Sequence, residues 1–380
     1  MEVASDPLVL ALHFGALSLP TLVFSGFAGV LTDRLSCEKI LVCAQLALLG
    51  TSSLGVLAIS LLGGTSQVLA LLSSSALIGV ASSFEITARS KYCALLVPDP
   101  EQLAGYLTSF SVVFNIGKLI GPLLGGYLVK LAGPTIALTL DTASYLLPII
   151  SIIWLLQPNQ SQVDKHYDIN VPLNSSGSLL EAWRTAGSTL RHVLIFTSLI
   201  CTVSFFHPGL APVIAGRVLG PSPSDLGLFT SILAAGSISG GIFLQRNSLS
   251  CSRRPFLTLG TFALITALAQ LGMASNAGTL FTLLMMFLIG AGTAGLLSST
   301  NLITQVASPQ ILRGRMASLS QIAFLGGGGL SGLLAALLSI RIGLSGTFAT
   351  AGTIGVLLTL RELWQRGQTV LPLQSAVRSA

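Results

Sequence analysis

The chain has 380 residues, of which 52% are hydrophobic and only 8% are charged, and its mean hydropathy is +0.82. A soluble domain carries roughly 25% charged residues, so this composition excludes a water-soluble core and indicates a polytopic membrane protein. The net charge of +6 does not indicate nucleic-acid binding, because the basic residues are spread over many loop ends, where anionic lipid headgroups are the expected partner.

Windows of about twenty residues that are nearly free of charge recur along the whole chain, and a helix of about that length crosses a bilayer core. They predict an all-α fold with about 11 transmembrane helices. Arg34 is the first basic residue, so the start lacks the charged region of a cleaved signal peptide and the first window is expected to be a retained span. The predicted spans are 8–32, 40–62, 67–90, 104–130, 134–156, 193–215, 226–246, 255–273, 278–304, 316–340 and 343–362.

Basic residues occupy alternate gaps between these windows, which predicts the orientation in the membrane. Fifteen of them lie on one side, Lys130, Arg217 and Arg341 lie on the other, and Lys118 falls inside a window. By the positive-inside rule the richer side is cytoplasmic, and the C-terminus lies on it. We therefore expect a multi-pass protein of the plasma (inner) membrane with a cytoplasmic C-terminus.

A single long polar segment divides the windows into five before it and six after it. Its last part, through Leu190, places Leu179, Leu180, Trp183 and Leu190 on one side of a helix, as in an interfacial segment. The predicted organisation is an N-terminal bundle (1–156), a cytoplasmic linker with that interfacial helix (157–192), a C-terminal bundle (193–366) and a cytoplasmic tail (367–380).

One cytoplasmic loop of each predicted bundle resembles the other. The run from Pro100 to Ser109 matches the run from Pro309 to Ser318 in Pro, Leu, Gly and Ser at one constant offset. The second run carries two candidate functional residues, Arg313 and Arg315. Parallel repeats of this kind place a transporter's substrate site at a pseudo-symmetric interface near mid-membrane, so that rocking the halves exposes it to each side in turn.

The loop after the first window contains the strongest short motif, formed by Gly29, Leu31, Asp33 and Arg34. With these residues the sequence resembles the major facilitator superfamily, whose signature loop reads roughly G-x-L-[AS]-D-R. The resemblance implies a two-bundle transporter in which Asp33 and Arg34 gate the path. Gly29 would permit close approach of a neighbouring helix. The carboxylate of Asp33 would face a helix N-terminus or an Arg of the opposite half.

A second motif supports the same resemblance. The family's G-x-x-x-G-P-x-x-G-G pattern matches Gly117, Gly121, Pro122, Gly125 and Gly126. In the family this pattern is more typical of proton-coupled exporters than of importers. Together with the Pro-Glu-Gln-Leu and Arg-Gly-Arg loop starts, it resembles the branch of siderophore, macrolide and multidrug exporters.

The chain departs from the family pattern in two respects. In the family the signature loop follows the second helix, whereas in this chain it follows the first predicted span. The family's first helix, which lines the translocation path, is therefore missing from the eleven predicted spans. Ser36, Cys37 and Glu38 also stand where exporters carry basic residues. Two explanations stay open: a start assigned too late, or a membrane protein that no longer transports.

Two charged residues of the third window are spaced as a helical pair. Glu85 and Arg89 lie four residues apart, so they share one face of a helix. Together with Asp33 they would form a charge relay that locks the outward-facing state and breaks on inward opening. A purely structural pair is the alternative.

Polar residues inside the windows are further candidates for coupling or substrate binding. Lys118 falls near mid-bilayer, where an ionised Lys costs about 2.5–3.5 kcal/mol, so it should face a cavity, an anionic substrate or a partner such as Asp141. Asp141 is also a candidate for proton coupling. Asn115, His207 and Asn301 are candidate substrate contacts, with helix-to-helix hydrogen bonding as the alternative.

Motifs of enzymes and cofactor sites are not expected to operate here. Gly327, Gly329 and Gly332 have a nucleotide-binding spacing but lie inside a predicted span without a preceding strand. The Gly-x-Ser-Gly runs have no later His, which an intramembrane protease would need. The five cysteines contain no CxxC. We expect no enzyme activity, no cofactor and no metal.

These patterns together predict a secondary active transporter. Its expected activity is proton-coupled efflux of a small amphipathic compound, drug-like or siderophore-like, by alternating access. Its expected partners are that substrate, protons and membrane lipids, with no nucleic acid, and it is expected to act as a monomer. A truncated, non-transporting membrane protein and a metabolite importer of the same fold are the alternatives.

Overall fold

The computed structural model describes residues 7–96, 100–155, 179–247, 251, 253–275, 277–307 and 313–370, and regular structure in these ranges is helical throughout. The all-α prediction is confirmed. The helices are α1 (Pro7–Ser18), α2 (Pro20–Arg34), α3 (Cys37–Leu61), α4 (Gly64–Leu96), α5 (Pro100–Ser144), α6 (Leu146–Ile150) with a π-helical turn (Ser151–Leu155), α7 (Leu179–Thr185), α8 (Ser188–Ser204), α9 (Ala211–Val218), α10 (Pro223–Arg246), α11 (Pro255–Ala274), α12 (Thr279–Val306), α13 (Arg313–Gln321) with a π-helical turn (Ile322–Gly326), and α14 (Gly327–Arg366).

Eight helical stretches of the described ranges are long and apolar enough to cross a membrane. Two of these stretches each cover two predicted spans, and each contains a glycine with positive φ: Gly133 (84°) in α5 and Gly343 (72°) in α14. Residues with a side chain rarely adopt this conformation, so a glycine lets the chain leave one helix and begin the next. The predicted boundaries 130/134 and 340/343 fall at these two breaks.

The prediction of one continuous span over 193–215 is wrong. Helix α8 already begins at Ser188 and ends at Ser204, a non-helical turn follows, and α9 begins only at Ala211. Pro208 has no backbone N–H, and the Gly209 that follows it carries a high conformational entropy cost in a helix. This segment is therefore a broken helix, and the break lies inside the protein.

The predicted interfacial helix at the end of the linker is present as α7, but it belongs with the C-terminal helices. Ala182 is completely buried, and Trp183 packs against a core cluster that includes Leu190 and Val193 of α8. Leu180, in contrast, is 54% exposed. One face of α7 therefore covers the core.

Helices α10 and α12 pack so closely that their backbones touch. A Cβ atom added to Gly236 would overlap the carbonyl oxygen of Phe287, and one added to Gly240 would overlap that of Ala291. Gly290 meets the Leu233 carbonyl in the same way from the other helix. Small residues allow such close approach in a bilayer, where the hydrophobic effect does not drive helices together.

We predict that Gly236→Ala destabilises the protein while Gly241→Ala on the same helix does not. The added methyl of Gly236→Ala has no space, and overpacking costs about 1–3 kcal/mol. A Cβ at Gly241 has no heavy atom within 4 Å in the described part of the chain. Thermal unfolding of the two purified variants measures the difference, and equal unfolding temperatures would contradict the packing argument.

Candidate functional site

The two groups of helices, residues 7–155 and 179–370 of the described ranges, meet along a first seam between α5 and α10. A Cβ atom on Gly126 would overlap the carbonyl oxygen of Pro223, and one on Gly227 would lie 2.5 Å from the carbonyl oxygen of Pro122. One turn away, Ser231 donates a hydrogen bond from Oγ to the Leu119 carbonyl, at 2.7 Å. The α5–α10 seam is therefore a backbone-to-backbone contact.

The glycine–proline motif contributes unequally to this seam. Gly126 and Pro122 form it, but Cβ atoms built on Gly117, Gly121 and Gly125 meet no heavy atom of the described residues within 4 Å. The structure therefore requires glycine at one position of the motif for inter-half packing. Sequence pattern alone did not distinguish that position from the others.

A second seam joins α1 and α2 to the break between α8 and α9 and to α13 and α14. Phe14 of α1 lies against two glycines of the other half, because Cβ atoms on Gly209 and Gly332 would each be 3.2 Å from its side chain. Its ring centroid is 6.3 Å from that of Phe205. Nearby, Ala11 is completely buried among C-terminal residues such as Phe206.

The signature loop lies at the other end of this second seam. A Cβ on Gly29 would be 3.6 Å from Ser318 Oγ, which is ordinary contact, so α2 approaches α13 without a clash. Leu31 packs against Cys37 and Tyr92, which anchors the loop to α3 and α4. Helix α2 thus lies beside α13, but an alanine would fit at Gly29, so this contact does not require glycine and the gating role of the loop stays a prediction.

Several predicted site residues have side chains outside the described part of the structure. Their backbones lie in α2, α5 and α13, and their predicted roles stay predictions. These residues are Asp33, Arg34, Asn115, Lys118, Arg313 and Arg315.

Glu85 and Arg89 form the ion pair that their spacing predicts. Arg89 Nη1 donates to Glu85 Oε1 at 3.2 Å, and the Glu85 side chain is 12% exposed. Helix α4, which carries the pair, packs against α2, at whose last turn Asp33 lies. The pair is therefore next to the helix that ends in the signature loop.

Asp141 lies near the end of α5 and is exposed on the surface of that helix. Its neighbour Thr142 is buried and shares a 2.7 Å hydrogen bond with Ser52 of α3, which ties this part of α5 to the N-terminal helices. The pairing of Asp141 with Lys118 stays a prediction, because the Lys118 side chain lies outside the described part of the structure.

His207 lies in the break between α8 and α9 and is only 1% exposed. Among the described residues, its Nδ1 atom has no hydrogen-bond partner, and neither do Ser204 Oγ and Gln270 Oε1. Gln270 Nε2 donates to the Ser204 carbonyl at 2.8 Å, which uses a carbonyl freed where α8 ends. A small, mainly apolar cavity adjoins the break, and its lining includes Ile200, Phe205 and Leu296 as well as Ser204 and Thr266. Unsatisfied buried polar atoms are costly, so the three atoms without partners are candidates for contacts with water or a ligand.

Gln270 was missed in the sequence although a signal existed, because it is the one amide side chain inside the predicted span 255–273. Asn301 is partly buried on α12, and its carbonyl accepts a 3.1 Å hydrogen bond from Thr304 Oγ1. Helix α12 packs against α10, α11 and α13. In the part of the chain that the structure describes, no group of three His, Cys, Asp or Glu side chains is placed to hold a metal ion.

Two groups of membrane-spanning helices that meet along two seams are the architecture of the major facilitator transporters, and the chain matches the model of one of their families, the transmembrane secretion effectors, over residues 1–369. The chain therefore belongs to that family. It is 24% identical over 371 residues to the multidrug efflux pump Tap of Mycolicibacterium fortuitum, an alignment that covers 91% of this chain and 86% of the pump.

Solved transporter structures share the fold. A POT family transporter in complex with 5-aminolevulinic acid superposes with a TM-score of 0.73 at 13% identity, over 95% of this chain and 88% of that one. A variant of the nucleoside transporter NupG gives 0.71 at 14% identity, over 94% and 91% of the two chains. The human organic anion transporter MFSD10 gives 0.68 at 17% identity, over 93% and 83%.

We predict that Gly126→Ala impairs transport and that Gly121→Ala does not. The methyl group at position 126 would push α10 away from α5, whereas at position 121 it meets open space. Transport rates in vesicles that contain equal amounts of each variant measure the effect, and a loss of at least about fivefold is expected from about 1 kcal/mol of misfit in the closed seam. Equal rates would show that the seam does not limit transport.

We predict that Arg89→Gln slows transport more than Glu85→Gln. Removal of Arg89 leaves a buried carboxylate without its cation, at a cost of roughly 2 kcal/mol, whereas Glu85→Gln is neutral and of the same shape. The pair Glu362 and Arg366 is the matched control, because it has the same i,i+4 spacing, a 3.1 Å contact and similar exposure at the end of α14. If Arg366→Gln slows transport as much as Arg89→Gln, the α4 pair has only a structural role.

Proposed function

We propose that this transporter exports a small amphipathic compound from the cytoplasm by alternating access, driven by protons. Membership in the secretion effector family and likeness to a multidrug efflux pump support the direction and the substrate class. The single structural observation that carries the mechanism is the pair of glycine-lined seams. The first seam brings backbone against backbone at Gly126 and Gly227, and the second sets the Phe14 ring against Gly209 and Gly332.

The seams differ between the two ends of the helices. Successive helices cross in alternate directions, so Gly126 and Gly227 lie toward the side poor in Lys and Arg, and Gly29 and Ser318 lie toward the side rich in them. The first contact leaves no room for a Cβ atom at Gly126 or Gly227, whereas a Cβ atom built on Gly29 would have room, 3.6 Å from Ser318 Oγ. Rocking about α1 and α14 would separate one contact while the other closes. The arginine-rich side faces the cytoplasm in this proposal.

Proton coupling would use carboxylates of the N-terminal half. Asp141 and Glu85 both lie within the membrane-spanning helices. A proton that binds there shifts the equilibrium only if its affinity differs between the two conformations. The ion pair of Glu85 with Arg89, on the side of the second seam, would provide such a difference if it formed in only one of the two conformations. His207, Ser204 and Gln270 would offer polar contacts to the substrate from the opposite half.

We expect cells that express the chain and lack other efflux pumps to accumulate less of several amphipathic dyes and antibiotics than cells with empty vector. A protonophore should abolish the difference, because it removes the driving force. Uptake of nucleosides or peptides that rises with expression would support the importer alternative instead. Unchanged accumulation across the panel, by a folded protein in the membrane, would support the non-transporting alternative.

Asp33→Asn tests the gate within the same assay. We expect slower export with an unchanged amount of folded protein in the membrane, since the side chain is replaced by one of equal size without charge. Glu38→Gln is the matched control, because it removes a carboxylate just beyond the signature loop, at the start of α3. Normal export by a well-folded Asp33→Asn protein would refute the gating role.

A further inference from the structure

A groove runs between α8 and the last turns of α14, on the arginine-rich side of the protein. Its rim carries His192 and Arg361, and its floor carries Phe196 and Leu358. His192 is held in place by a 2.7 Å hydrogen bond from Nδ1 to the Ser188 carbonyl. The groove therefore has a polar end at the helix termini and an apolar continuation toward the membrane interior.

The polar end carries an uncompensated positive charge. Glu362, the one acid in the groove lining, already pairs with Arg366 at 3.1 Å. Within the described ranges, Arg361 makes neither an ion pair nor a hydrogen bond with another side chain, and it is exposed. Such a guanidinium offers a fork of donors whose geometry matches a phosphate group.

The apolar continuation lies on the outer surface of the helices. Ile195 and Leu199 follow His192 along one face of α8 and are 45% and 48% exposed. Trp364, one turn beyond Arg361, is 88% exposed. Tryptophan is enriched where the membrane meets water, which places Arg361 and His192 at headgroup depth and the two aliphatic residues among the acyl chains.

We propose that this groove binds one anionic phospholipid of the surrounding bilayer, with its phosphate at Arg361 and one acyl chain along Ile195 and Leu199. The charge selects the class of lipid, because a zwitterionic headgroup would bring a second cation next to Arg361 and His192. Bound there, the lipid would tie α8, beside the broken helix, to the last helix of the chain. The site shares no residue with the two seams, so it stands independently of the proposed export activity.

The test uses the purified full chain, stripped of lipid and titrated with phosphatidylglycerol or phosphatidylcholine under native mass spectrometry. We expect wild type to bind one phosphatidylglycerol in preference to phosphatidylcholine, and Arg361→Gln to weaken that first binding step roughly tenfold, as for the loss of one charge-assisted contact. Arg246→Gln is the matched control, because it removes an exposed arginine of the same membrane side at the end of α10.

Two further variants keep the result interpretable. Arg361→Lys should retain the preference for phosphatidylglycerol, and the pair Ile195→Ser with Leu199→Ser should weaken binding without any change in charge. Inorganic phosphate should neither compete with the lipid nor raise the unfolding temperature. Any one of three results would overturn the proposal. They are an unchanged phosphatidylglycerol affinity in Arg361→Gln, equal affinities of wild type for the two lipids, and a rise in unfolding temperature with inorganic phosphate as large as with phosphatidylglycerol.

Discussion

Close backbone contact at glycines is the constraint on which the rest of this structure depends. In a bilayer the lipid chains are as apolar as the side chains, so helices gain little from merely hiding apolar surface and associate where they can pack tightly. Gly236 and Gly290 serve this purpose within the C-terminal half, and Gly126 and Gly227 serve it between the halves. The same kind of contact thus holds helices together within one half in one place and between the two halves in another.

What distinguishes a seam from a core is the number of contacts that surround the glycines. Within the C-terminal half, α12 packs with α11 as well as with α10, and the close contact lies beside a buried cluster that includes Met286 and Ile289. At the α5–α10 seam, neighbouring residues of α5 such as Leu124 and Tyr127 are more than half exposed. A contact without such an enclosure can open at lower cost, which is what alternating access requires of an interface.

Buried polar groups occur in both halves, and only some of them are paired. Glu85 and Arg89 of the N-terminal half form an ion pair. Other buried polar atoms have no hydrogen-bond partner among the described residues. They include Ser25 Oγ and Gln45 Oε1 in the N-terminal half and Ser204 Oγ, His207 Nδ1 and Gln270 Oε1 at the break between α8 and α9. Unsatisfied groups of this kind can be completed by water or by a ligand.

The sequence alone predicted most of the membrane-spanning helices, because bilayer thickness and helix geometry limit the length and composition of any helix that crosses a membrane. Charge-free windows predicted the helices, the gaps at 130/134 and 340/343 predicted the turns at Gly133 and Gly343, and i,i+4 spacing predicted the pairing of Glu85 with Arg89. The break at Pro208 and Gly209, the role of Gln270, and the choice of Gly126 over its neighbours were decided only by tertiary structure. Each of these features depends on which helix, distant in the sequence, packs opposite it. The spacing of apolar residues predicts which face of a helix is buried, but it does not predict which helix packs against that face.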